Sequence, residues 1–464
     1  MTNFAAMPTD FAQQIHLALR SWHSQKAEGV LEHLLLARQS GIERATPRLA
    51  TNHILLEGIN RLREGDEEAA DILQARFLNQ ETAQAVGFRR NLSEDIIFQR
   101  QRSAIEQLAE VIWSQEQTLV KQRRARIEAR LESSTYTKLF GVDEKLREIR
   151  NLVEADAEPW LLALEGMGGL GKTSLADALA RQMAGELRFE EIGWVSARRR
   201  MFHFTGGIDA SDPHPDLTMP ELLDALIEQF DLSGLAHASD SEKRLGVKDF
   251  LRARPSLVVV DNLETAADYS ALVLDLTGLA QPSKFLFTTR YSLRDVSGVY
   301  ILPLKQLARA DALALLRYEA KTRGLSELGE APESELESIY TVTGGNPLAI
   351  KLFVGQVHSL SLSVVLSRFG AVKGEPVEKL LDFLYAAAWQ SLDEKNRRVL
   401  QAMLLVADEG RLEQIAAASE LSEDEAAACL HRLTGLSLVS VSGGLHERRY
   451  SLHQLAQAFV AQQS

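Results

Sequence analysis

The chain is predicted to fold as a multidomain protein. It divides into an all-α N-terminal domain over residues 1–132, an α/β P-loop nucleotide-binding domain with a doubly wound parallel sheet over 133–303, a helical domain over 304–374 and a C-terminal winged helix over 375–464. Three observations predict this. The stretch Leu161–Ser174 passes from an apolar run through four glycines into an amphipathic segment and matches the phosphate-loop pattern G-x-x-x-x-G-K-[ST]. Apolar runs at 192–195, 257–260, 285–287 and 300–304 alternate with helical periodicity, which specifies a parallel sheet buried on both faces. On either side of that region apolar residues recur at three and four, as in Ile54, Leu55, Ile59 and Leu62.

Length and composition set the outer limits. At 464 residues, 45% of them hydrophobic, the chain exceeds one core, and about three or four domains are expected. A formal net charge of −13 excludes a generic nucleic-acid binder. The single cysteine, Cys429, excludes a disulfide framework and a cysteine metal site, suits a reducing cytoplasm and is expected to fill core. No apolar run reaches the roughly 18 residues of a membrane span, and Met1-Thr2-Asn3-Phe4 does not open a signal peptide, so a cytoplasmic protein with no membrane partner is expected.

Within the first domain, Ala69–Leu78, Gln80–Phe88, a turn at Arg89-Arg90-Asn91 and a helix opening at Ser93 fit a helix-turn-helix. Ser93 is the expected N-cap, and Ile97, Ile105, Leu108 and Ile112 are expected in the core. The segment resembles the helix-turn-helix of bacterial sigma factors, which would make Gln99, Arg100, Gln101 and Arg102 DNA contacts. Against this, residues 1–130 hold 17 Lys+Arg and 17 Asp+Glu, so the segment is equally readable as a docking module. The local basic run Lys121–Arg130 fits a phosphate-tracking or a solvated helix face.

The phosphate loop comprises Gly166, Met167, Gly168, Gly169, Leu170, Gly171, Lys172, Thr173 and Ser174. Its glycines let successive N–H groups point into one concavity, at the positive end of the following helix. Lys172 would bridge the β- and γ-phosphates, and Thr173 would hold Mg2+. Asp261 ends the run Leu257-Val258-Val259-Val260 and is placed at a strand's carboxyl end, where it would share that magnesium. Arg290 follows Phe285–Thr289 and would sense a γ-phosphate, or else form a structural salt bridge. His203 and His214, eleven positions apart in a polar loop, do not form a credible metal site.

Gly344-Gly345-Asn346-Pro347-Leu348-Ala349 interrupts the helical pattern beyond residue 304. With the phosphate loop, Asp261 and Thr288-Thr289-Arg290 in that order, residues 139–460 resemble the NB-ARC and wider STAND group of signal-transducing P-loop ATPases. That group includes plant disease-resistance proteins, apoptosome adaptors and bacterial regulators. The resemblance implies that Pro347 packs against adenine. It also implies that His453, in Leu452-His453-Gln454, reaches the β-phosphate of ADP, though an ordinary core histidine fits too. The winged-helix pattern comprises Leu412–Ser419, Leu421–Leu433 and strands around Gly443-Gly444, and its acidic Ser422-Glu423-Asp424-Glu425 points to a lid rather than a DNA reader.

Departures from the group's pattern matter. Asn262 stands where an acid often follows the strand-end aspartate, with Glu264 two further on, and Phe140-Gly141-Val142 lacks the arginine of many relatives. Slow hydrolysis is therefore expected of Lys172, Asp261 and Arg290. No repeat array that could serve as a sensor follows the winged helix, so a separate protein trigger, or one bound to the N-terminal helices or the ATPase surface, is expected. The function expected is a switch that ADP closes and ATP opens into a self-associating form, with the N-terminal domain as output. Two alternatives remain open: a DNA-binding transcription regulator with an NB-ARC-like core, and a continuously cycling remodelling ATPase. No Asn-Lys-x-Asp guanine-reading element appears in the nucleotide-binding region. ATP and ADP are therefore expected to outcompete GTP, as a competition titration of the purified protein would reveal.

Overall fold

The computed structural model describes residues 6–24, 30–39, 47–132, 134, 136–186, 188–197, 217–357, 360–370, 377–390, 392–406, 409–444, 447–452 and 454–463. It divides into two compact units, Met1–Arg126 and Ile127–Ser464. The loop carrying His203 and His214 lies outside the described residues.

The first unit is all-helical: α1 (Phe11–Arg20), α2 (Leu35–Gln39), α3 (Pro47–Gly65), α4 (Glu67–Leu73), α5 (Ala83–Arg90) and α6 (Glu94–Glu128). The three-and-four spacing puts Ile54, Leu55, Ile59 and Leu62 of α3 into one core with Ile105, Leu108 and Ile112 of α6. A wider helical turn, Gln74–Leu78, follows α4 directly. The next helix starts at Ala83 rather than Gln80, because Gln80 is left-handed (φ 58°) and Thr82 accepts the Ala85 N–H as N-cap. Ser93 caps α6 weakly, accepting the Ile96 N–H at 3.4 Å.

The second unit begins with α7 (Asp143–Glu154), β1 (Leu161–Glu165), α8 (Lys172–Gly185), β2 (Glu191–Ser196), α9 (Met219–Gln229), α10 (Asp240–Ala253), β3 (Ser256–Asp261), α11 (Tyr269–Ala280), β4 (Lys284–Thr289) and β5 (Val299–Pro303). The strands form one parallel sheet in the order β2-β3-β4-β1-β5. Strand period two sends Leu162, Leu164, Val259 and Leu286 to the face covered by α8, and Leu161, Ala163, Val258, Val260, Phe285 and Phe287 to the face covered by α9–α11. The connection from β1 leads across the sheet to its far edge at β2, while β5 flanks β1 on the other side. The crevice at the carboxyl end of β1 is thus a topological switch point, where α/β sheets bind ligands. Helix α10 was not anticipated, although Ser239 and Glu242 form a capping box at its start.

The remainder is helical apart from one hairpin: α12 (Arg309–Thr322), α13 (Ser326–Glu330), α14 (Glu333–Thr343), α15 (Pro347–Val357), α16 (Leu362–Gly370), α17 (Val377–Gln390), α18 (Glu394–Leu405), α19 (Leu412–Ser419), α20 (Glu423–Gly435), β6 (Val439–Gly443), β7 (Arg448–Leu452) and α21 (Gln454–Gln463). Strands β6 and β7 are antiparallel, and Gly410 forms a further antiparallel bridge to Tyr450. One apolar cluster runs from α12 to α21, so residues on both sides of the expected 374/375 boundary share a core, with Cys429 buried in it. Among the described residues no helix is long and apolar enough to cross a membrane.

Helix α15 is a spacer inside this cluster. Its Lys351 carbonyl accepts the Ser437 hydroxyl at 2.9 Å, and Arg323, the residue that ends α12 as its C-cap, donates to the Gly435 carbonyl and to Ser437 Oγ on the same turn. Gly355 lies so close to this turn that a Cβ would meet the Leu436 carbonyl carbon at 2.8 Å. Gly355→Ala is expected to destabilise the unit by about 1–3 kcal/mol through overpacking. Gly278→Ala, facing open space within α11, is expected to be neutral or to stabilise by up to about 1 kcal/mol. Thermal melting of the two variants would separate them.

Candidate nucleotide-binding site

The phosphate loop follows β1 directly and enters α8 at Lys172. Gly169 and Gly171 adopt left-handed backbone (φ 77° and 87°), which lets the loop curl while α8 starts with its free N–H groups at the loop. Lys172 does not extend outward. Its ammonium turns back to donate to the Gly166 carbonyl at 2.7 Å and the Met167 carbonyl at 2.9 Å, and only 8% of the residue is exposed. Burial lowers its pKa to about 8, Arg290 pushing the same way while Glu264 and Asp261 oppose.

Asp261, fully buried at the end of β3, is the centre of a polar cluster. Its Oδ1 accepts the hydroxyl of Thr173 at 2.8 Å and that of Thr288. Its Oδ2 accepts the side-chain amide of Asn262, whose backbone N–H donates to Thr288 Oγ1 at 2.9 Å. Asn262 is therefore held as a donor to Asp261 rather than as a base. One hydroxyl and one carboxylate, from Thr173 and Asp261, form the oxygen donor set that a hard divalent cation takes. Among the described residues there is no cluster of three or more His, Cys, Asp or Glu that could hold a metal unaided.

Arg290 follows β4 and meets Glu264 rather than open crevice. The guanidinium Nε lies 2.9 Å from Glu264 Oε1, and the Arg290 backbone N–H donates to Oε2 at 3.2 Å. The salt-bridge use of this arginine is thus the one seen in this structure. Glu264, at 7% side-chain exposure, sits on a short turn pinned by the Thr265 hydroxyl, which lies 2.6 Å from the Ala197 carbonyl.

The segment Gly344–Ala349 closes over the loop. Asn346, fully buried, donates its side-chain amide to the Gly168 carbonyl at 3.0 Å, and the Leu348 N–H donates to the Gly169 carbonyl at 3.3 Å. The Asn346 Oδ1 accepts the N–H groups of Leu348 and Ala349, capping α15 with Pro347 as its first residue. A Cβ at Gly169 would meet Leu348 Cβ at 2.7 Å. On the approach to α7, Phe140 stacks obliquely on Tyr318 at 5.4 Å, and Gly141 lies against the Asp311 carboxylate of α12. The fold thus gathers Gly166–Ser174, Asp261, Arg290 and Pro347 at one end of the sheet, and His453 lies outside the described residues. Thr288 and Asn346 had been read only as members of their motifs; their individual roles depend on which backbone groups face them.

The four expected DNA contacts fare differently. Arg100 pairs with Glu68, and Gln101 accepts from Arg76 Nε at 2.9 Å, whereas Gln99 and Arg102 are exposed. Arg90 is also drawn inward, at 3.0 Å from Asp71 and 3.4 Å from Glu68.

A parallel sheet with a glycine-rich loop at its switch point, followed by a helix beginning Lys-Thr, is the architecture of a P-loop nucleotide-binding domain. Residues 142–320, which hold the phosphate loop, Asp261 and Arg290, match the NB-ARC domain. The transcription activator GutR of Bacillus subtilis (strain 168) is 22% identical over 336 residues, 65% of this chain and 38% of GutR. The TMV resistance protein N of Nicotiana glutinosa is 21% identical over 268 residues, 56% of this chain and 22% of that protein. The chain thus spans less than two-fifths of the length of either relative. Among solved structures, a STAND protein with a tetratricopeptide repeat sensor from Pyrococcus horikoshii aligns with a TM-score of 0.48 at 18% identity, covering 72% of this chain and 44% of that one.

The lowered pKa of Lys172 gives the site a pH dependence with a definite sign. A phosphate bound by Lys172 would take the charged ammonium, which the free protein holds for the most part below about pH 8 and loses progressively above it. ADP affinity is expected to be flat from pH 6.5 to 7.5 and to fall by up to tenfold per unit above about pH 8. Lys172→Arg should abolish the fall whatever its effect on affinity at neutral pH. Calorimetric titration across that range would check both.

Proposed function

We propose that the chain is a switch controlled by adenine nucleotides, with the ADP form closed and the ATP form open and self-associating. The observation that carries this reading is the continuous connection from the phosphate loop through Asn346 and α15 to the turn before β6. Helix α15 spans about 16 Å at 1.5 Å per residue, so a change in the loop reaches that turn through one rigid element. Lys172 would contact the β- and γ-phosphates, Thr173 and Asp261 would hold Mg2+, Pro347 would pack on adenine, and His453 would serve the β-phosphate of ADP. Bound Mg2+ would neutralise phosphate charge and polarise the γ-phosphoryl group. Residues 375–464 act as a winged-helix lid, the N-terminal helices as output, and a separate protein as trigger.

Lys172→Ala is expected to abolish ATP and ADP binding, because the phosphates lose their point charge while the loop backbone remains. Unchanged affinity by equilibrium titration would sink this reading. Turnover is expected well below the roughly 1–1000 per second of dedicated enzymes, since Asn262 supplies no base. Rapid unassisted phosphate release would favour a cycling remodeller.

A second reading, a transcription regulator, is favoured by the likeness to GutR, a transcription activator. The ion pairs that Arg90 and Arg100 make with Asp71 and Glu68 favour docking to protein instead, because a paired guanidinium offers less charge to phosphate. Arg100→Ala combined with Arg102→Ala is expected to leave duplex DNA binding at the nonspecific level of roughly 10⁻⁴ to 10⁻⁶ M. A tight sequence-selective complex weakened by that pair, with a salt slope reduced by about two, would establish the regulator.

A further inference from the structure

We propose that Glu264 is a positioning residue that competes with the γ-phosphate for Arg290, and so sets how strongly the site prefers ATP over ADP. The inference rests on the nucleotide-switch reading and adds to it a residue which the motifs did not assign. Three features of the geometry support it. Glu264 engages Arg290 twice, through the guanidinium at 2.9 Å and the backbone N–H at 3.2 Å, which fixes both the side chain and its root. Its carboxylate is nearly buried, so the pair is little screened by water. The turn bearing it is anchored to the ends of β2 and β3, by Thr265 Oγ1 lying 2.6 Å from the Ala197 carbonyl and by the left-handed Asn262, so the carboxylate cannot swing away freely.

The consequence is differential. A guanidinium held by a carboxylate is a weakened anion receptor, and the carboxylate itself repels an approaching phosphoryl group. An anion reaching Arg290 must therefore displace Glu264. The γ-phosphate is the group that ATP has and ADP lacks, so this competition lowers affinity for ATP alone. The field of Glu264 at Lys172 acts on the contacts that ATP and ADP share, and largely cancels in the ratio of their affinities. Only a ligand with unequal contacts in two states shifts an equilibrium between them, and this ion pair makes the contacts unequal.

Glu264→Gln keeps the shape and an oxygen for the Arg290 backbone N–H but removes the charge. The experiment measures ATP and ADP dissociation constants, with Mg2+ held constant, for the wild-type chain, Glu264→Gln, Glu264→Asp, Arg290→Ala and the Glu264→Gln/Arg290→Ala double variant. The ratio of ATP to ADP affinity is expected to rise about tenfold in Glu264→Gln. It should stay within about threefold of wild type in Glu264→Asp, which retains the charge. In the Arg290→Ala background, Glu264→Gln should change the ratio by less than about threefold, because the competition requires Arg290. A ratio that does not rise in Glu264→Gln, or that rises equally with and without Arg290, would overturn the proposal. Failure of the wild-type chain to bind either nucleotide would instead overturn the switch reading beneath it.

Discussion

The contact between the phosphate loop and the head of α15 is the constraint on which the second unit depends. Gly168 and Gly169 present their carbonyls to Asn346 and to the Leu348 N–H while their neighbours curl the loop. Gly169 serves both ends at once: its φ of 77° shapes the loop, and the absence of a Cβ admits Leu348. A side chain there would meet Leu348 at 2.7 Å and separate the helical part from the sheet. The backbone that joins the sheet to the helical part is therefore the same backbone whose curl shapes the loop.

Buried charge in the crevice defines the state of the molecule seen here. Lys172 is satisfied by two loop carbonyls, Arg290 by Glu264 and Asp261 by Thr173, Thr288 and Asn262. Each group that a nucleotide would engage already has an internal partner, as burial in low dielectric demands. A nucleotide held by these residues would exchange partners rather than occupy waiting ones. Exchange of this kind couples to structure, because the displaced partners lie on different elements: the loop itself, β3 and the turn after it, and β4.

In the first unit the same physics acts against a nucleic-acid surface. Glu68 and Asp71 of α4 pair with Arg90 and Arg100, while Phe88 stands 88% exposed and Phe98 47% exposed. Cations paired with carboxylates beside exposed aromatic rings suit contact with protein better than contact with a phosphate backbone. Helix α6 continues for 35 residues, so its opening turns are one end of a long strut.

Elements that follow from local pattern were legible in the sequence. The strand–loop–helix around Lys172, the β-branched run ending at Asp261 and the three-and-four spacing of α3 and α6 each arise from neighbours a few positions apart, where side-chain period and glycine content decide the conformation. The order β2-β3-β4-β1-β5 was not legible, because strand pairing is chosen by long-range burial that no single run encodes. The partners of particular polar groups were also hidden. Arg290 could be read as sensor or as salt bridge, and only the fold brings Glu264, 26 positions earlier, to its guanidinium. Asn346 looked like punctuation between helices until the fold set it against Gly168, 178 positions away. The sequence by itself determined which chemistry is present, since motif spacing is local; the tertiary structure decided which groups face one another, since a hydrogen bond depends on distance in space and not along the chain.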